Sequence, residues 1–442
     1  MRSIKFRPMK KAINKLKDYN SDSFNEIRDL TDIYSQCIHC GMCLTSCPTY
    51  LITNFERSSP RGRIKLIKSA AEGQLTISDT FAYEMNFCLD CQACETACPA
   101  GVKFGKMVEA ARVEVERKGY HSIIKSFFLN KIIPNKNRLK LAAKILRFYQ
   151  MSGIRTFLHS AVKIDKIFPG LMKIEGLSPD VPKVFSDSFI KEENKPVGKE
   201  KFRLAFAYGC LMNVFFPDVN KDTVELLNKI GALVISPTGQ TCCGSLNAHN
   251  GQFKKARELA EINIKEFGKY KYDYLISNSA GCGAFMKEYG ALFRDDEKLC
   301  DQARLFSSKV RDLTEFLYEA QTTMHYKNSV KDITYHDACH HVHSQKIYDQ
   351  PRELLKQIKG INLIPLEDST KCCGSAGIYN ILHYDTSMEL LKQKMNNIDK
   401  TKADIVLTGN PGCLLQLNYG IKNFNKNIHV MHTASLLNEI IS

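Results

Sequence analysis

Through the second half of the chain, short apolar runs alternate with stretches of helical spacing. The run "FRLAFAYGC" predicts a strand reaching Cys210. In "VNKDTVELLNKIG" the apolar positions recur at the interval of a helix. "ALVISPTG" predicts a second strand ahead of Cys242, "KKARELAEINIKEFG" a helix, and "YDYLISNSAGC" a strand reaching Cys282. The same order returns in "DITYHDAC", "INLIPLED" and "DIVLTGNPGC". Strands and helices in alternation predict parallel α/β units. The cysteines then fall just past the carboxyl ends of strands, the rim where open α/β sheets bind ligands.

These two halves are copies of each other. Cys210, Cys242, Cys243 and Cys282 recur as Cys339, Cys372, Cys373 and Cys413, at offsets of 129, 130, 130 and 131 residues. "TCCGSLNAHN" matches "KCCGSAGIYN", and "ISNSAGCG" matches "LTGNPGCL". Four cysteines in register across such a period indicate duplication.

The first half patterns differently. Residues 1–35 predict a basic helical lead-in, and "SSPRGRIKLIKSAAEG" a turn followed by a helix starting near Arg61. Residues 111–200 predict basic amphipathic helices broken near Pro134 and Pro169, ending in the polar linker "SDSFIKEENKPVGKEK". The expected fold is α+β overall. It comprises a helical domain (1–110) that carries the cysteine spacing C-x2-C-x2-C-x3-C-P twice and so reads as two-cluster and ferredoxin-like, a basic helical connector (111–200) and two duplicated α/β cysteine-rich domains (201–325 and 326–442).

Composition sharpens this. The chain has 442 residues, 17 cysteines and a formal net charge of +15. It has no run of eighteen apolar residues, so a membrane-spanning helix is not expected. The start lacks a secretory h-region, so a cytoplasmic protein is the expectation. In that compartment clustered thiols bind metal or do redox work rather than form a disulfide framework.

"CIHCGMCLTSCP" (37–48) and "CLDCQACETACP" (88–99) share the spacing C-x2-C-x2-C-x3-C-P. A [4Fe–4S] cube offers one iron to each of four thiolates. Two-residue gaps let a tight loop wrap three corners, and the fourth cysteine commonly serves the neighbouring cube. The expected ligand sets are Cys37, Cys40, Cys43 and Cys98 for one cluster, and Cys88, Cys91, Cys94 and Cys47 for the other. Structural zinc sites instead separate two C-x2-C pairs by a longer loop.

Each repeat offers four further thiols, Cys210, Cys242, Cys243 and Cys282, then Cys339, Cys372, Cys373 and Cys413. Adjacent cysteines make a poor structural disulfide, because consecutive Cα atoms lie about 3.8 Å apart. These groups could hold further iron–sulfur centres or zinc, or act as a thiol redox site. Cys300 has no counterpart and reads as a packed residue. His336, His340, His341 and His343 crowd around Cys339, where the first copy has no histidine. Hydrogen-bonding or solvated roles are expected for them and for His432, rather than coordination.

Residues 121–175 carry eleven Lys or Arg against Asp165 and Glu175. Such a segment can lie on an anionic membrane surface or dock an acidic partner. The expected arrangement is an ordinary connector packing its apolar face on the core. No nucleic-acid motif accompanies the charge, so no nucleic-acid partner is expected. No G-x-G-x-x-G opens a βα unit, and Gly281 with Gly283 gives only a lone G-x-G.

The two quartets, "SPRGRIKLIK", "NSAGCGAFMKEYG" and "KCCGSAGIY" together resemble the glycolate oxidase iron–sulfur subunit family, from about Cys37 to His432. The repeats resemble the CCG domain, also found in heterodisulfide reductase, anaerobic glycerol-3-phosphate dehydrogenase and lactate-utilisation proteins. The resemblance implies an electron-transfer subunit with two [4Fe–4S] clusters. A separate FAD-binding partner would oxidise a 2-hydroxy acid such as glycolate or D-lactate. This chain would relay the electrons towards a quinone or another acceptor. Peripheral contact of the basic segment with the inner face of the cell membrane is the alternative to the packed connector, one that a quinone acceptor would favour. The alternatives are a subunit of anaerobic glycerol-3-phosphate dehydrogenase, or a thiol-disulfide enzyme of the heterodisulfide reductase kind. No residue of this chain is expected to be catalytic. The fuller CCG pattern closes with C-x2-C, and here Ser279 and Asn410 stand where the first of those cysteines would be.

Overall fold

The computed structural model describes residues 30–120, 122–154, 173, 175–320, 326–327 and 330–441. The expected lead-in helix over 1–35 lies almost wholly outside them. The opening domain packs the helices Pro60–Ala71, Asp79–Asn86 and Phe104–Arg117 around Ile64, Ile67, Phe81, Met85, Met107 and Val108. The helix expected near Arg61 begins at Pro60, preset by the proline ring and capped by Ser59, whose Oγ accepts from Gly62 N at 3.0 Å.

The connector breaks at Pro134 as expected, while Pro169 lies outside the described residues. Ser122 caps the helix Ile123–Phe127, which runs on into a π-turn over Phe128–Ile132. Asn135 then caps Lys136–Met151. The expected packing of its apolar face is met only in part. Leu139 and Ala143 are buried against Val181, Phe185 and Val214, but Ile123, Ile124, Phe128, Ile145, Phe148 and Met151 are each at least half exposed. The helix carries apolar residues on more of its circumference than the protein covers.

The repeats form two sheets. The first runs in the order β1-β3-β2-β4-β5, with β1 Glu193–Asn194, β2 Phe202–Ala207, β3 Ala232–Ile235, β4 Tyr274–Ser277 and β5 Val310–Asp312. The second runs β7-β6-β8-β9, with β6 Lys331–Tyr335, β7 Ile361–Ile364, β8 Ile405–Thr408 and β9 His429–His432. Without β1, both sheets are parallel with the same winding. The extra β1 is linker chain pairing antiparallel with β3, Glu193 opposite Ile235.

Alternate strand residues divide between two faces. Ala205 and Leu275 face an outer core with Phe267, Phe285 and Tyr289. Val406 faces the corresponding core of the second repeat, with Leu391, Met395 and Leu417. Leu204, Phe206 and Ile276 of one sheet share a single core with Ile333, Tyr335 and Leu407 of the other. Leucines from the helices Pro217–Lys229, Leu313–Glu319, Asp349–Lys356 and Thr433–Ile440 complete it.

In each copy the chain steps from the central strand to one side and then to the other, between β2 and β4 and between β6 and β8. That reversal opens a crevice at the carboxyl ends of the strands. The strands themselves end earlier than the apolar runs suggested. β2 stops at Ala207, and Cys210 opens the helix Cys210–Phe215; β4 stops at Ser277, and Cys282 lies within Ala280–Lys287.

Candidate metal centres

The two quartet loops share one backbone conformation. His39 and Asp90, two residues after the first cysteine of each quartet, have φ 55° and 54°. Gly41 and Gln92, two further on, have φ 87° and 60°. Left-handed residues at matched positions curl each loop into a concave turn, the shape that gathers backbone N–H groups around an anionic centre. Cys47 is the N-cap of the helix Pro48–Thr53, and Cys98 precedes a turn rather than a helix.

The fourth cysteines cross over. One cavity is walled by Cys37, Cys40, Cys43 and Cys98, and a second by Cys47, Cys88, Cys91 and Cys94. Cys94 also borders the first, so the cavities are neighbours. Each cavity thus has at least four sulfurs on its wall, the number of donors that a [4Fe–4S] cube takes.

The "PRGR" stretch, whose role composition could not disclose, braces the first loop and borders the second cavity. Arg61 Nη1 donates to His39 O at 3.2 Å, and its Nε to Glu56 at 2.7 Å. Arg63 is fully buried, with Nε donating to Glu84 O at 2.8 Å and Nη1 to Thr49 Oγ1 at 3.1 Å. Gly62 lies against Glu56 O, where a Cβ would stand 1.9 Å from the oxygen. Arg112 donates to the carbonyls of Met85, Cys88 and His249, tying the second loop to the first repeat. Asp90 and Glu109 flank His249 at 3.2 and 2.7 Å. Burial opposes the imidazolium, but these carboxylates outweigh it and hold the His249 pKa at about 10.

The eight repeat cysteines face one shared cavity of about 440 Å³, which the Cys88–Asp90 loop also lines. In the first repeat Cys210 and Cys242 sulfurs are 3.5 Å apart, and Cys243 reaches both Cys242 and Cys282. Donation from Cys210, then from Cys243 and Gly244 N–H, holds Cys242 well below the usual thiol range. In the second repeat the chain of contacts is Cys339, Cys372, Cys373, Cys413. The glycine of each "CCG" is at φ 89° or 90°; a Cβ would meet Ala256 O at 3.0 Å or Ser387 O at 2.6 Å. Its N–H donates to the first sulfur of the pair, at 3.5 Å for Gly244 and 3.4 Å for Gly374. Cys91 of the opening domain packs with Cys339, Cys372 and Tyr379 in one buried cluster. Cys300 is partly buried at the start of the helix Cys300–Lys309, away from both groups.

Three of the four crowded histidines bond as expected. His340 meets Asp90 O at 3.2 Å, His341 meets Asp312 at 2.8 Å, and His343 meets Thr96 at 2.9 Å. His432 spans Asn278 O and Ala434 N. His336 is the exception, lying among thiols with no such partner.

Comparison with known proteins finds the same modules in the same order. A 4Fe-4S dicluster domain matches residues 33–102, and a cysteine-rich domain matches 204–287 and again 333–418. The linker region of the glycolate oxidase iron-sulfur subunit matches 121–178. The probable glycolate oxidase iron-sulfur subunit of Bacillus subtilis is 35% identical over 95% of this chain and 96% of its own. The glycolate oxidase iron-sulfur subunit of Escherichia coli is 30% identical over 87% and 90%. Lactate utilization protein A of Geobacillus kaustophilus is 33% identical over 52% of this chain and 95% of its own. With two ferredoxin-type loops, the matching linker and both cysteine-rich repeats in order, the chain belongs to the glycolate oxidase iron–sulfur subunit family.

Proposed function

We propose that this chain is the electron-carrying subunit of a 2-hydroxy-acid dehydrogenase acting on glycolate or D-lactate, with FAD on a partner subunit and a quinone as the downstream acceptor. In this reading Cys37, Cys40, Cys43 and Cys98 hold one [4Fe–4S] cluster, and Cys88, Cys91, Cys94 and Cys47 hold the other. Such a cluster, when bound, takes up and releases one electron at a time. The residues of the chain bind it, fix its orientation and exclude water. Arg61 holds the first loop through His39 O, and Arg61 and Arg63 place positive charge beside the two thiol-rich cavities. Segments 1–110, 111–200, 201–325 and 326–442 then divide the work into relay, connector and two cysteine-rich centres.

The observation that carries the reading is the buried packing of Cys91 against Cys339 and Cys372. It puts the second ferredoxin-type loop in direct contact with the repeats, beside the shared cavity that Cys88 and Leu89 also line. The test is anaerobic purification with iron and sulfide counting, then EPR before and after adding hydroxy acid and the partner flavoprotein. About eight irons supports the opening pair, and appreciably more implicates the repeats. Clusters that stay oxidised with glycolate and D-lactate but respond to glycerol 3-phosphate would move the chain to the other dehydrogenase class. Disulfide reduction without a flavoprotein would favour the thiol-disulfide reading.

Membrane contact belongs to the same proposal. Ile124, Phe128, Ile145 and Phe148 are exposed on a segment rich in lysine and arginine, as for a surface that settles on anionic lipid. No described helix is long and apolar enough to cross a membrane.

A further inference from the structure

The two repeats are not equivalent at their cysteines. Just past β6 the second repeat places His336, and the matching position in the first repeat is Ala207, the last residue of β2. His336 is 1% exposed, and neither ring nitrogen has a hydrogen-bond partner. An imidazole buried without partners is costly unless something else satisfies it. One ring nitrogen and the sulfurs of Cys373 and Cys413 all lie within 4.8 Å of one another. The Ser369 backbone is near enough to favour a proton on the ring. Metal-bound imidazole commonly has that arrangement, with one nitrogen facing the metal and the other towards a carbonyl.

We propose that His336 is a nitrogen ligand to an iron–sulfur centre in the second repeat, completing a five-donor set with Cys339, Cys372, Cys373 and Cys413, while the matching position of the first repeat carries no histidine. This rests on the proposed iron–sulfur reading and assigns a ligand within it. Five donors exceed the four that tetrahedral zinc takes. The set also abuts Cys91, so it adjoins the ferredoxin-type loop. Asn410, which occupies the position of a further cysteine in the fuller motif, is not a substitute ligand. Its amide donates to Cys413 Sγ at 3.5 Å and its Oδ1 accepts from Gly281 N at 3.3 Å, so it orients the sulfur. Lys394, buried and bonded to the carbonyls of Asp368 and Ser369, supplies a nearby cation. Coordination would use the neutral imidazole lone pair, with the proton kept on the other nitrogen and no change in electron count.

The test uses the full chain, purified anaerobically from cells fed ¹⁵N-histidine or unlabelled histidine. Pulsed EPR on the reduced protein reads nitrogen coupling, and metal analysis reads iron, sulfide and zinc. The expected result is a directly bound nitrogen coupling that changes with the isotope and disappears in His336→Ala. His336→Cys should retain the centre with a lower midpoint potential, since nitrogen ligation raises it. Full iron content with no histidine coupling in the unsubstituted protein overturns the proposal, as does zinc in place of iron at this repeat. The isotope measurement needs no variant, so a His336→Ala chain that fails to fold does not blunt it. A preparation with no iron at all would instead sink the cluster reading itself.

Discussion

Replacing Asp312 should loosen the two repeats from each other. Asp312 ends β5 in the first repeat, and His341 belongs to the second. Their side chains are 3% and 2% exposed, and His341 Nε2 donates to Asp312 Oδ2 at 2.8 Å. The other oxygen caps the helix Leu313–Glu319, accepting from Thr314 N and Oγ1 at 2.8 and 2.6 Å. Asp312→Ala removes a buried partner, at roughly 3–5 kcal/mol, and a cap, at about 1 kcal/mol. For a unit of this size that lowers the melting temperature by roughly 8–20 °C. Asp312→Asn keeps the shape and the cap, so it isolates the charge. Burial resists ionisation of Asp312, but His341 and the Thr314 donors bring its pKa down to about 2 from 3.8. That difference corresponds to roughly 2.5 kcal/mol, present above the ordinary carboxylate value and lost as pH falls towards 2. Burial likewise disfavours the His341 cation, but Asp312 outweighs it and raises that pKa above 6.5. The His341 contribution is therefore complete below pH 6.5 and lost as pH rises through its folded value. Anaerobic circular-dichroism melts from pH 5 to 9 should show the gap between parent and Asp312→Asn widest at the acid end. Identical melting of parent and Asp312→Ala, or a gap that grows with pH, would refute the reasoning.

Three further outcomes follow from the geometry. Cys98→Ser should remove the same EPR species as Cys40→Ser, and Cys47→Ser the same species as Cys91→Ser, each with loss of about four irons; loss of the same species by Cys98→Ser and Cys91→Ser would disprove the crossing. Arg63→Met should destabilise the opening domain by roughly 1–3 kcal/mol, because the Glu84 carbonyl and Thr49 each lose a buried donor while the Glu84 carboxylate keeps Arg57 and Ser58; melting of the iron-loaded protein reads it, and unchanged melting would contradict the assigned role. Ile145→Ser with Phe148→Ser should lower binding to vesicles rich in anionic lipid at unchanged melting temperature, since both side chains are already exposed; equal vesicle binding would assign that face to something other than lipid.

What could be read from the chain alone depended on whether chemistry or folding fixed it. The quartets were legible because an inorganic cube constrains residues three and four apart. The repeats were legible because apolar runs and cysteines kept register through duplication. Strand ends were misjudged by three to five residues, because Gly209 and Ser279 turn the chain before the apolar run finishes. Arg63, Arg112 and His336 could not be interpreted, since their partners lie 14 to 137 residues away or are thiols gathered by the fold. The connector misled for a related reason. Its amphipathic pattern marked an apolar face but carried no statement of what would cover it.

The core common to both sheets has a consequence for synthesis. A nascent chain leaves the ribosome with its first repeat complete while Leu226, Leu227 and Phe316 still lack the side chains that cover them. Their cover includes Leu436 and Leu437, which emerge on the order of ten seconds later. During that interval the half-made protein presents a greasy flank to water and becomes a natural client for chaperones. Splitting the gene between the repeats should therefore give two insoluble fragments rather than two working halves.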